Sequence, residues 1–243
     1  MIDLHCHILP HLDDGACSLA ESVAMARMAV DSGVVAMAAT PHCVDGNAAE
    51  VRDRVLLLRE VLEEEEIPLR IFLGMEIFGT DNTAALLRSG RLLTLNNSRY
   101  PLIEFGFRGL GERETEILWD VIQAGYRPIV AHPERYSYIQ QAPEILNEWY
   151  RMGCLFQLNR GSLMGRFGRR VQYTAVTLLE RGFVTVVASD AHSSRVRTPW
   201  LKDIRQVLTE ELSPDCARLL LQHNPKSIIH NQIIQPVEPD WFQ

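Results

Sequence analysis

The amino-acid sequence predicts an α/β protein in which largely apolar parallel strands alternate with helices. Short apolar runs recur along the chain and amphipathic stretches separate them, which favours a parallel sheet covered by helices. Four helix-like stretches end in a glycine that directly precedes an apolar run, and glycine readily adopts the left-handed conformation that closes a helix. These glycines are Gly33, Gly125, Gly153 and Gly182. We predict a closed or nearly closed barrel in preference to an open doubly wound sheet.

Seven candidate strands follow one another along the chain. They span residues 2–5, 34–40, 70–76, 101–105, 128–132, 154–159 and 184–190. Helices are predicted between them, among them 18–31, which opens with Ser18 and Glu21 in capping-box spacing, and 51–66, which is charged on one face. Two or three packing helices and a tail are expected from about residue 199. Because no linker rich in proline, glycine or serine divides the chain, we expect one domain over residues 1–243.

Composition and charge restrict the class of protein. The chain has 243 residues, of which 47% are hydrophobic and 23% charged, an ordinary globular composition. A formal net charge of -7 without a long basic run argues against a nucleic-acid partner. Five cysteines, an odd number without paired spacing, favour a reducing compartment. The N-terminus does not read as a signal peptide and no apolar run approaches the roughly 20 residues of a membrane span, so we expect a cytoplasmic protein without membrane insertion.

Histidines and carboxylates recur at the carboxyl ends of the predicted strands. The carboxyl ends of parallel barrel strands share one rim, so these residues are expected to meet in one pocket. A lone histidine or glutamate is more often a surface group, but burying this many ionisable groups together without cations would be severely unfavourable. The pattern therefore predicts a metal centre. The residues in it are His5, His7, His42, Glu76, Glu104, His132, Asp190 and His192.

The donor types indicate which metals and which chemistry to expect. Side chains alternate along a strand, so Cys6 should point away from His5 and His7 and serve packing. Nitrogen and oxygen donors without thiolate favour manganese, iron or zinc over a structural zinc site. A bridging carboxylate such as Glu76 would let two ions sit about 3.5–4 Å apart, the spacing that activates water for phosphoryl hydrolysis.

Six short strings around these residues resemble the PHP (polymerase and histidinol phosphatase) superfamily. Within it, the chain resembles the bacterial tyrosine phosphatases of capsule and exopolysaccharide loci, the CpsB/YwqE type. The likeness runs from residue 1 to about residue 232. The strings are His5-Cys6-His7, Thr40-Pro41-His42, Gly74-Met75-Glu76, Ile103-Glu104-Phe105, His132-Pro133-Glu134-Arg135-Tyr136 and Ser189-Asp190-Ala191-His192, with Leu12-Asp13-Asp14-Gly15 and Asn224-Pro225-Lys226-Ser227 beside them.

The resemblance implies a distorted (β/α)7 barrel of the PHP type with two or three divalent ions, most often manganese, with iron or zinc as alternatives. It also implies hydrolysis of phosphotyrosine on a bacterial tyrosine kinase that regulates capsule or exopolysaccharide synthesis. Carried over by position, it makes His5, His7, Glu76 and Asp190 ligands of one ion. Glu76 would bridge to a second ion held with Glu104 and His132. The third ion would be held by Asp14, His42 and His192, with Asp13 and His11 as alternatives to Asp14.

Two arginines are similar in position to phosphate binders of this family, namely Arg135 and Arg197, with Arg195 as the alternative to Arg197. The planar guanidinium suits this role because it donates two parallel hydrogen bonds to phosphate oxygens, although surface salt bridges are the other interpretation. We expect a hydroxide that bridges the ions to attack phosphorus in line, with the ions and Arg135 stabilising the charge on the equatorial oxygens. No phosphoenzyme is expected.

Other interpretations of the sequence are weaker. Cys154 and Arg160 match the Cys-x5-Arg spacing of cysteine-dependent phosphatases, but residues 154–160 lack a glycine-rich loop and read as a buried strand. An amidohydrolase usually needs a bridging carboxylated lysine, and no lysine lies at a predicted strand end. A phosphoesterase acting on a small phosphomonoester such as histidinol phosphate, and a non-catalytic, metal-loaded regulatory module, remain as alternatives.

Overall fold

Two parallel sheets form the centre of the computed structural model, which describes residues 1–109, 111–235 and 237–243. One sheet has the strand order β1-β2-β4 and the other the order β3-β5-β6-β7-β8-β9, and neighbouring strands pair in parallel. The predicted α/β class with parallel strands is therefore confirmed. The strands are β1 (Ile2–Cys6), β2 (Ala36–Ala39), β3 (His42–Cys43), β4 (Arg70–Leu73), β5 (Glu76–Phe78), β6 (Leu102–Glu104), β7 (Ile129–Ala131), β8 (Leu155–Asn159) and β9 (Val186–Ala188).

Each of the seven predicted strands is present, but two of them are interrupted. The second stops at Ala39 and resumes as β3 at His42, and the third stops at Leu73 and resumes as β5 at Glu76. Pro41 has no N–H to donate to a strand ladder. A Cβ at Gly74 would lie 3.0 Å from the Thr40 side chain, so the two segments that follow β2 and β4 lie close together here. The resumed halves belong to the second sheet, where their register pairs His42 with Glu76.

The first strand also meets the segment that follows the last one. Cys6 forms an isolated parallel bridge with Ala191. Around it, the His7 N–H donates to the Ala191 carbonyl at 2.8 Å and the Asp190 N–H donates to the His5 carbonyl at 2.9 Å. These backbone bonds bring together two ends of the chain that are separated by more than 180 positions, and both carry predicted metal ligands.

Ten α-helices are assigned in the described part of the chain, and their ends follow the local sequence. Ser18 caps the first, since its Oγ accepts from the Glu21 N–H at 3.1 Å. The predicted capping box is incomplete because the Glu21 carboxylate accepts from the Ser194 N–H at 2.6 Å instead. The helices are α1 (Leu19–Asp31), α2 (Ala48–Glu64), α3 (Thr83–Arg88), α4 (Glu112–Gln123), α5 (Ile145–Met152), α6 (Arg160–Leu163), α7 (Arg169–Glu180), α8 (Lys202–Glu211), α9 (Pro214–Arg218) and α10 (Asn224–Ile229).

The four glycines that were predicted to close helices all have positive φ, from 77° at Gly182 to 106° at Gly153. They lie one or two residues after the last residues of α1, α4, α5 and α7, as expected. Short 3-10 turns lie at Leu95–Asn97 and Pro133–Arg135, and a π-helical turn at Leu219–His223 joins α9 to α10. Among the residues that the structure describes, no helix has both the length and the apolar composition of a membrane span.

Successive side chains of the strands enter two separate apolar clusters. Leu102 and Ile129 belong to the smaller cluster, whereas their neighbours Ile103 and Val130 belong to the larger one, which also takes the buried faces of the helices. The smaller cluster receives side chains from β1 and β2 of one sheet and from β6 to β9 of the other. The two sheets therefore pack around a shared apolar core, and the polar residues that follow the strands lie at its end.

Candidate metal centre

Three groups of potential metal ligands lie where the strands end, and they share members. Within each group, one ligand atom from every residue lies within 4.8 Å of the others. The first group is His5, His7, Glu76 and Asp190, the second is His42, Glu76 and Glu104, and the third is His7, Asp14, His42 and His192. Eight of the nine sequence-predicted ligands thus belong to at least one group, and the ninth, His132, contacts Glu76.

The first group is buried and closely spaced. Glu76 Oε2 lies 3.1 Å from the Nε2 atoms of both His5 and His7. Asp190 Oδ1 lies 3.4 Å from His5 Nε2 and 3.5 Å from His7 Nε2. Donor atoms bound to one ion at about 2.0–2.2 Å stand roughly 3–3.5 Å from each other, so these separations suit ligands of a common cation.

One carboxylate oxygen of Glu76 and one of Asp190 lack hydrogen-bond partners. Among the described residues, Glu76 Oε2 and Asp190 Oδ1 of the first group, and His192 Nε2 of the third, are buried and have no hydrogen-bond partner. A buried carboxylate oxygen without a donor is strongly unfavourable, so an additional positive group is expected at this position. Imidazole nitrogens and carboxylate oxygens without thiolate suit manganese, iron or zinc. The residues present therefore fit divalent metal ions.

The second and third groups meet at the ring of His42. Its Nδ1 lies 2.8 Å from Glu104 Oε1 and 3.1 Å from Glu76 Oε2, whereas its Nε2 lies 3.6 Å from Asp14 Oδ1. Asp14 Oδ1 is also 3.3 Å from His192 Nε2. His42 thus places one ring nitrogen in each group, and a neutral imidazole can ligate an ion through only one of them while the other carries a proton.

The grouping can be compared with the expected one at two histidines. His42, expected only with Asp14 and His192, also stands beside Glu104, because its strand register pairs it with Glu76. His132, expected at one ion with Glu76 and Glu104, places its Nε2 at 2.6 Å from Glu76 Oε1, as expected, but it is not grouped with Glu104 among the described residues. Both His132, with φ of 35°, and Asp190, with φ of 50°, have left-handed backbones that a non-glycine residue seldom adopts. Such local strain is concentrated at functional sites, where it sets side-chain direction.

The remaining ring nitrogens of the first group are held by supporting residues. His5 Nδ1 is 2.9 Å from Gln157 Oε1, and His7 Nδ1 is 2.6 Å from Asp13 Oδ2. When Nδ1 donates its proton to such an oxygen, the Nε2 lone pair is directed into the group. Sequence reasoning did not identify Gln157, although a polar residue within the apolar strand β8 was a usable signal.

The two residues considered as alternatives to Asp14 lie elsewhere. Asp13 supports His7 and also accepts from the backbone N–H groups of His42 and Gly15, each at 2.9 Å. Burial would raise the pKa of Asp13, but its hydrogen bond to His7 lowers it to about 2. His11 is exposed and belongs to none of the three groups found among the described residues. Asp14 is therefore the carboxylate of this loop that meets His42 and His192.

A second set of hydrogen bonds holds Asp190. Asn159 Nδ2 donates to Asp190 Oδ2, and Asn159 Oδ1 accepts from Gln157 Nε2 at 2.8 Å. Glu134, which is fully buried, accepts from the Asn159 N–H at 3.0 Å, and burial raises the pKa of its carboxyl. Gln157 and Asn159, at the end of β8, thus connect His5 to Asp190 through hydrogen bonds.

The buried carboxylates favour the protonated, positively charged forms of two neighbouring histidines. Burial alone would lower the pKa values of His5 and His7. The charges of Glu76 and Asp190 nevertheless raise the pKa of His5. Hydrogen bonds to Asp13, Asp190 and Glu76 raise the pKa of His7. His192 behaves oppositely, since burial, the charge of His7 and that of Arg197 lower its pKa to about 3. Protons and metal ions would therefore compete for the same buried ring nitrogens.

Two arginines contact Asp190 from the open side of the site. Arg135 Nη1 lies 3.2 Å from Asp190 Oδ2, and Arg197 pairs with the same oxygen. Both side chains are partly exposed, at 18% for Arg135 and 28% for Arg197. Arg195 is exposed and lines a surface cavity of about 370 Å³ together with Asp14 and His192. The ion pair with Asp190 thus belongs to Arg197.

The cysteines of the chain do not enter the candidate centre within the described ranges. Cys154 is 1% exposed, and burial raises its pKa to about 12, so its thiol is protonated at neutral pH. Arg160, which directly follows the five-residue strand β8, pairs instead with Asp203 at 2.8 Å. Cys6 packs in the larger apolar cluster. The Cys-x5-Arg spacing therefore belongs to the scaffold.

Comparison with known proteins identifies the relatives of this chain. The family profile described as Capsular polysaccharide synthesis, CpsB/CapC matches residues 1–230. Tyrosine-protein phosphatase YwqE of Bacillus subtilis is 36% identical over 245 residues, covering 98% of this chain and 96% of that protein. Tyrosine-protein phosphatase CpsB of Streptococcus pneumoniae is 31% identical over 243 residues, covering 96% of this chain and 100% of that protein. The resemblance inferred from the motifs is confirmed.

Solved structures give the same relationship. A crystal structure from a study of YwqE from Bacillus subtilis and CpsB from Streptococcus pneumoniae, described as metal-dependent tyrosine phosphatases, superposes with a TM-score of 0.94 at 35% identity, over 100% of both chains. A beta-aspartyl dipeptidase from Fervidobacterium islandicum shares only the fold, with a TM-score of 0.59 at 16% identity over 96% of this chain and 74% of that chain.

Proposed function

Because this chain belongs to the CpsB/CapC family of capsular polysaccharide synthesis proteins, we propose that it is a metal-dependent phosphatase that hydrolyses phosphotyrosine in a protein substrate. Relatives that are 31–36% identical over nearly the whole chain are tyrosine-protein phosphatases. The observation that carries the proposal is the pair of buried carboxylate oxygens, on Glu76 and Asp190, that face imidazole nitrogens and have no hydrogen-bond partner among the described residues.

Within this proposal, the first group would hold one ion, Glu76 would also hold a second ion together with Glu104 and His132 or His42, and Asp14, His42 and His192 would hold a third. Manganese is the preferred metal, with iron or zinc as alternatives, since all three accept nitrogen and oxygen donors. Bound divalent ions would supply Lewis acidity and activate the water that attacks phosphorus.

Arg135 and Arg197 are the residues that we assign to phosphate binding. Each shares Asp190 Oδ2, yet a guanidinium has five N–H donors in a fixed plane, so donors remain for phosphate oxygens. Their positive charge would stabilise the negative charge that develops on the phosphoryl oxygens in the transition state. The phenol group of tyrosine has a pKa of about 10, so the phenolate can leave without a strong protein acid.

Several finer assignments form part of the same proposal. The two sheets are the halves of a distorted (β/α)7 barrel of the PHP type, in one domain over residues 1–243. The protein acts in the cytoplasm on the C-terminal tail of a bacterial tyrosine kinase that regulates capsule or exopolysaccharide synthesis. The shared apolar core between the sheets supports the first statement, and the family supports the second.

The proposal is tested by comparing substrates with purified, manganese-loaded protein. We expect hydrolysis of a phosphotyrosyl peptide that exceeds hydrolysis of histidinol phosphate and of a phosphodiester, and complete loss with a chelator. Glu76→Gln should lose both bound metal and activity because it removes a ligand charge shared by two groups, whereas Glu60→Gln, on the exposed face of α2, should lose neither. Preference for histidinol phosphate, or no turnover of any phosphoester, would contradict the proposal.

The route of phosphoryl transfer is tested separately with a chiral phosphoryl substrate. Direct in-line attack by water inverts the configuration at phosphorus, whereas two successive displacements through a phosphoenzyme retain it. We expect inversion. Retention, or a phosphoprotein trapped by acid quenching, would require a nucleophilic side chain.

A further inference from the structure

The guanidinium of Arg135 lies between two phenylalanine rings that the phosphatase mechanism does not use. Its Cζ is 4.5 Å from the centre of the Phe107 ring and 4.6 Å from the centre of the Phe167 ring, and it lies over both rings. The two rings come from distant segments, one after β6 and the other between α6 and α7. A cation that contacts aromatic faces is attracted by their negative quadrupoles. Arg135 is thus held from two sides.

The two phenylalanine rings contact different parts of the structure. A Cβ at Gly161 would lie 2.8 Å from Phe167 Cε2, so the half-buried Phe167 ring rests directly on the glycine backbone. The Phe107 ring lies 6.1 Å, centre to centre, from both His132 and Tyr136, and the residue remains 44% exposed. The Phe107 ring thus lies at the surface beside the candidate centre, with Arg135 against it.

The orientation of Arg135 matters because its donors are directional. The rings contact the guanidinium at its central carbon, while Nη1 reaches Asp190 Oδ2 at 3.2 Å, so the N–H edge is directed at the metal centre. An arginine side chain is long and has many rotamers, and without lateral contacts it would spend part of its time in solvent. Binding phosphate would then include the cost of ordering it.

We propose that Phe107 and Phe167 are positioning residues that hold the Arg135 guanidinium in the orientation that receives the substrate phosphate. The inference rests on the proposed function, since it assumes that Arg135 binds phosphate. It predicts that the rings affect phosphate affinity only through Arg135. They contribute neither a metal ligand nor a proton.

The test uses Phe167→Leu and Phe107→Leu in the manganese-loaded, full-length protein. The dissociation constant of inorganic phosphate, measured by titration calorimetry, should rise about tenfold in each variant. The KM for a phosphotyrosyl peptide should rise more than kcat falls, and the metal content should equal that of the wild type. Phe167→Tyr, which keeps the ring, should restore affinity. Tyr173→Leu, which removes a 74% exposed aromatic residue on α7, is the matched control and should change nothing.

A double-mutant cycle separates positioning from a merely structural role. In an Arg135→Met background, Phe167→Leu should cause no further loss of phosphate affinity, because the group that it positions is absent. Wild-type phosphate affinity in a metal-loaded Phe167→Leu protein, or losses that add fully to that of Arg135→Met, would overturn the inference. If Phe167→Leu does not fold, Phe107→Leu in its exposed loop gives the same cycle. Failure of the proposed function is distinct, since it would appear as wild-type protein that binds phosphate without hydrolysing phosphotyrosine.

Discussion

Each histidine of the first ligand group uses its two ring nitrogens differently. In His5, Nε2 faces Glu76 and Asp190, while Nδ1 faces Gln157 Oε1 at 2.9 Å. The amide oxygen can only accept, so it selects the tautomer in which Nδ1 carries the proton and Nε2 presents a lone pair. The choice of donor atom at this residue therefore depends on a side chain 152 positions away.

Gln157→Leu should weaken metal binding although Gln157 is not a ligand. Loss of the acceptor frees the His5 ring and also removes the bond to Asn159, which supports Asp190. Supporting hydrogen bonds of this kind usually contribute a factor of about 10–100 in metal affinity. Titration calorimetry with manganese measures the effect, and Gln206→Leu, on the exposed face of α8, is the control. Equal affinities in the two variants would show that Gln157 has no supporting role.

Helix α1 connects local capping to the candidate site. Ser18 Oγ caps its first turn, and Glu21 of that turn binds the Ser194 N–H at 2.6 Å, in the loop that carries Arg197. The carboxylate near a helix N-terminus is also favoured by the helix dipole. The start of this helix thus stabilises the helix itself and the loop beside the metal centre.

Ser18→Ala should lower the free energy of unfolding by about 1 kcal/mol, the usual cost of removing a serine N-cap. The reason is that the Glu21 N–H loses its only side-chain acceptor among the described residues. Urea denaturation of the metal-free protein measures the change. Ser89→Ala is the control, since Ser89 is exposed at the end of α3 and its hydroxyl donates to the Leu86 carbonyl without capping a helix N-terminus. An effect at Ser18 no larger than at Ser89 would contradict this role.

The interrupted strands are the other feature at the scale of elements. Because β2 and β4 break before His42 and Glu76, the resumed strands enter the second sheet, where these two residues become register neighbours. The register itself is unchanged across the break, since Ala39 pairs with Leu73 before it and His42 with Glu76 after it. What changes is the neighbour: β4 pairs only with β2, whereas β5 also pairs with β6, the strand that ends in Glu104. The change of sheet thus brings Glu104 to the second ligand group.

At the scale of the whole molecule, metal binding at the candidate centre would be coupled to folding. The first group draws on residues 5 to 190, and such a set exists only in the folded chain, so bound ions would stabilise the folded state. The carboxylates also raise the pKa values of His5 and His7, so both rings hold protons in the metal-free protein at pH values where free histidine begins to lose them.

Manganese should therefore raise the unfolding temperature more at about pH 8 than at about pH 6. A histidine with a raised pKa stabilises the metal-free fold below its unfolded pKa, and this stabilisation is lost as pH rises through the folded value. Lower pH thus both stabilises the metal-free protein and displaces metal by protonating His5 and His7. Calorimetry with and without manganese measures the difference, and Glu76→Gln should show little response at either pH. A metal effect that is independent of pH would contradict the competition.

The family, the parallel α/β architecture and the identities of the candidate ligands follow from the sequence alone. Parallel strands place their carboxyl ends at one rim, so chain order and residue type were enough to predict that His5, Glu76, His132 and Asp190 lie near one another. The glycines after four helices likewise encode their ends locally, through a conformation that other residues seldom adopt. Information of this kind is contained in short stretches of chain.

Only the tertiary structure decided how the ligands are grouped and supported. His42 stands beside Glu104 because two strands break and change sheets, and Asp190 points inward from a left-handed backbone. Gln157 meets His5, and Arg135 meets Phe107 and Phe167, across separations at which no sequence pattern specifies contact. The physical reason is that distances of about 3 Å between remote side chains depend on the packing of every element between them, which local preferences do not determine.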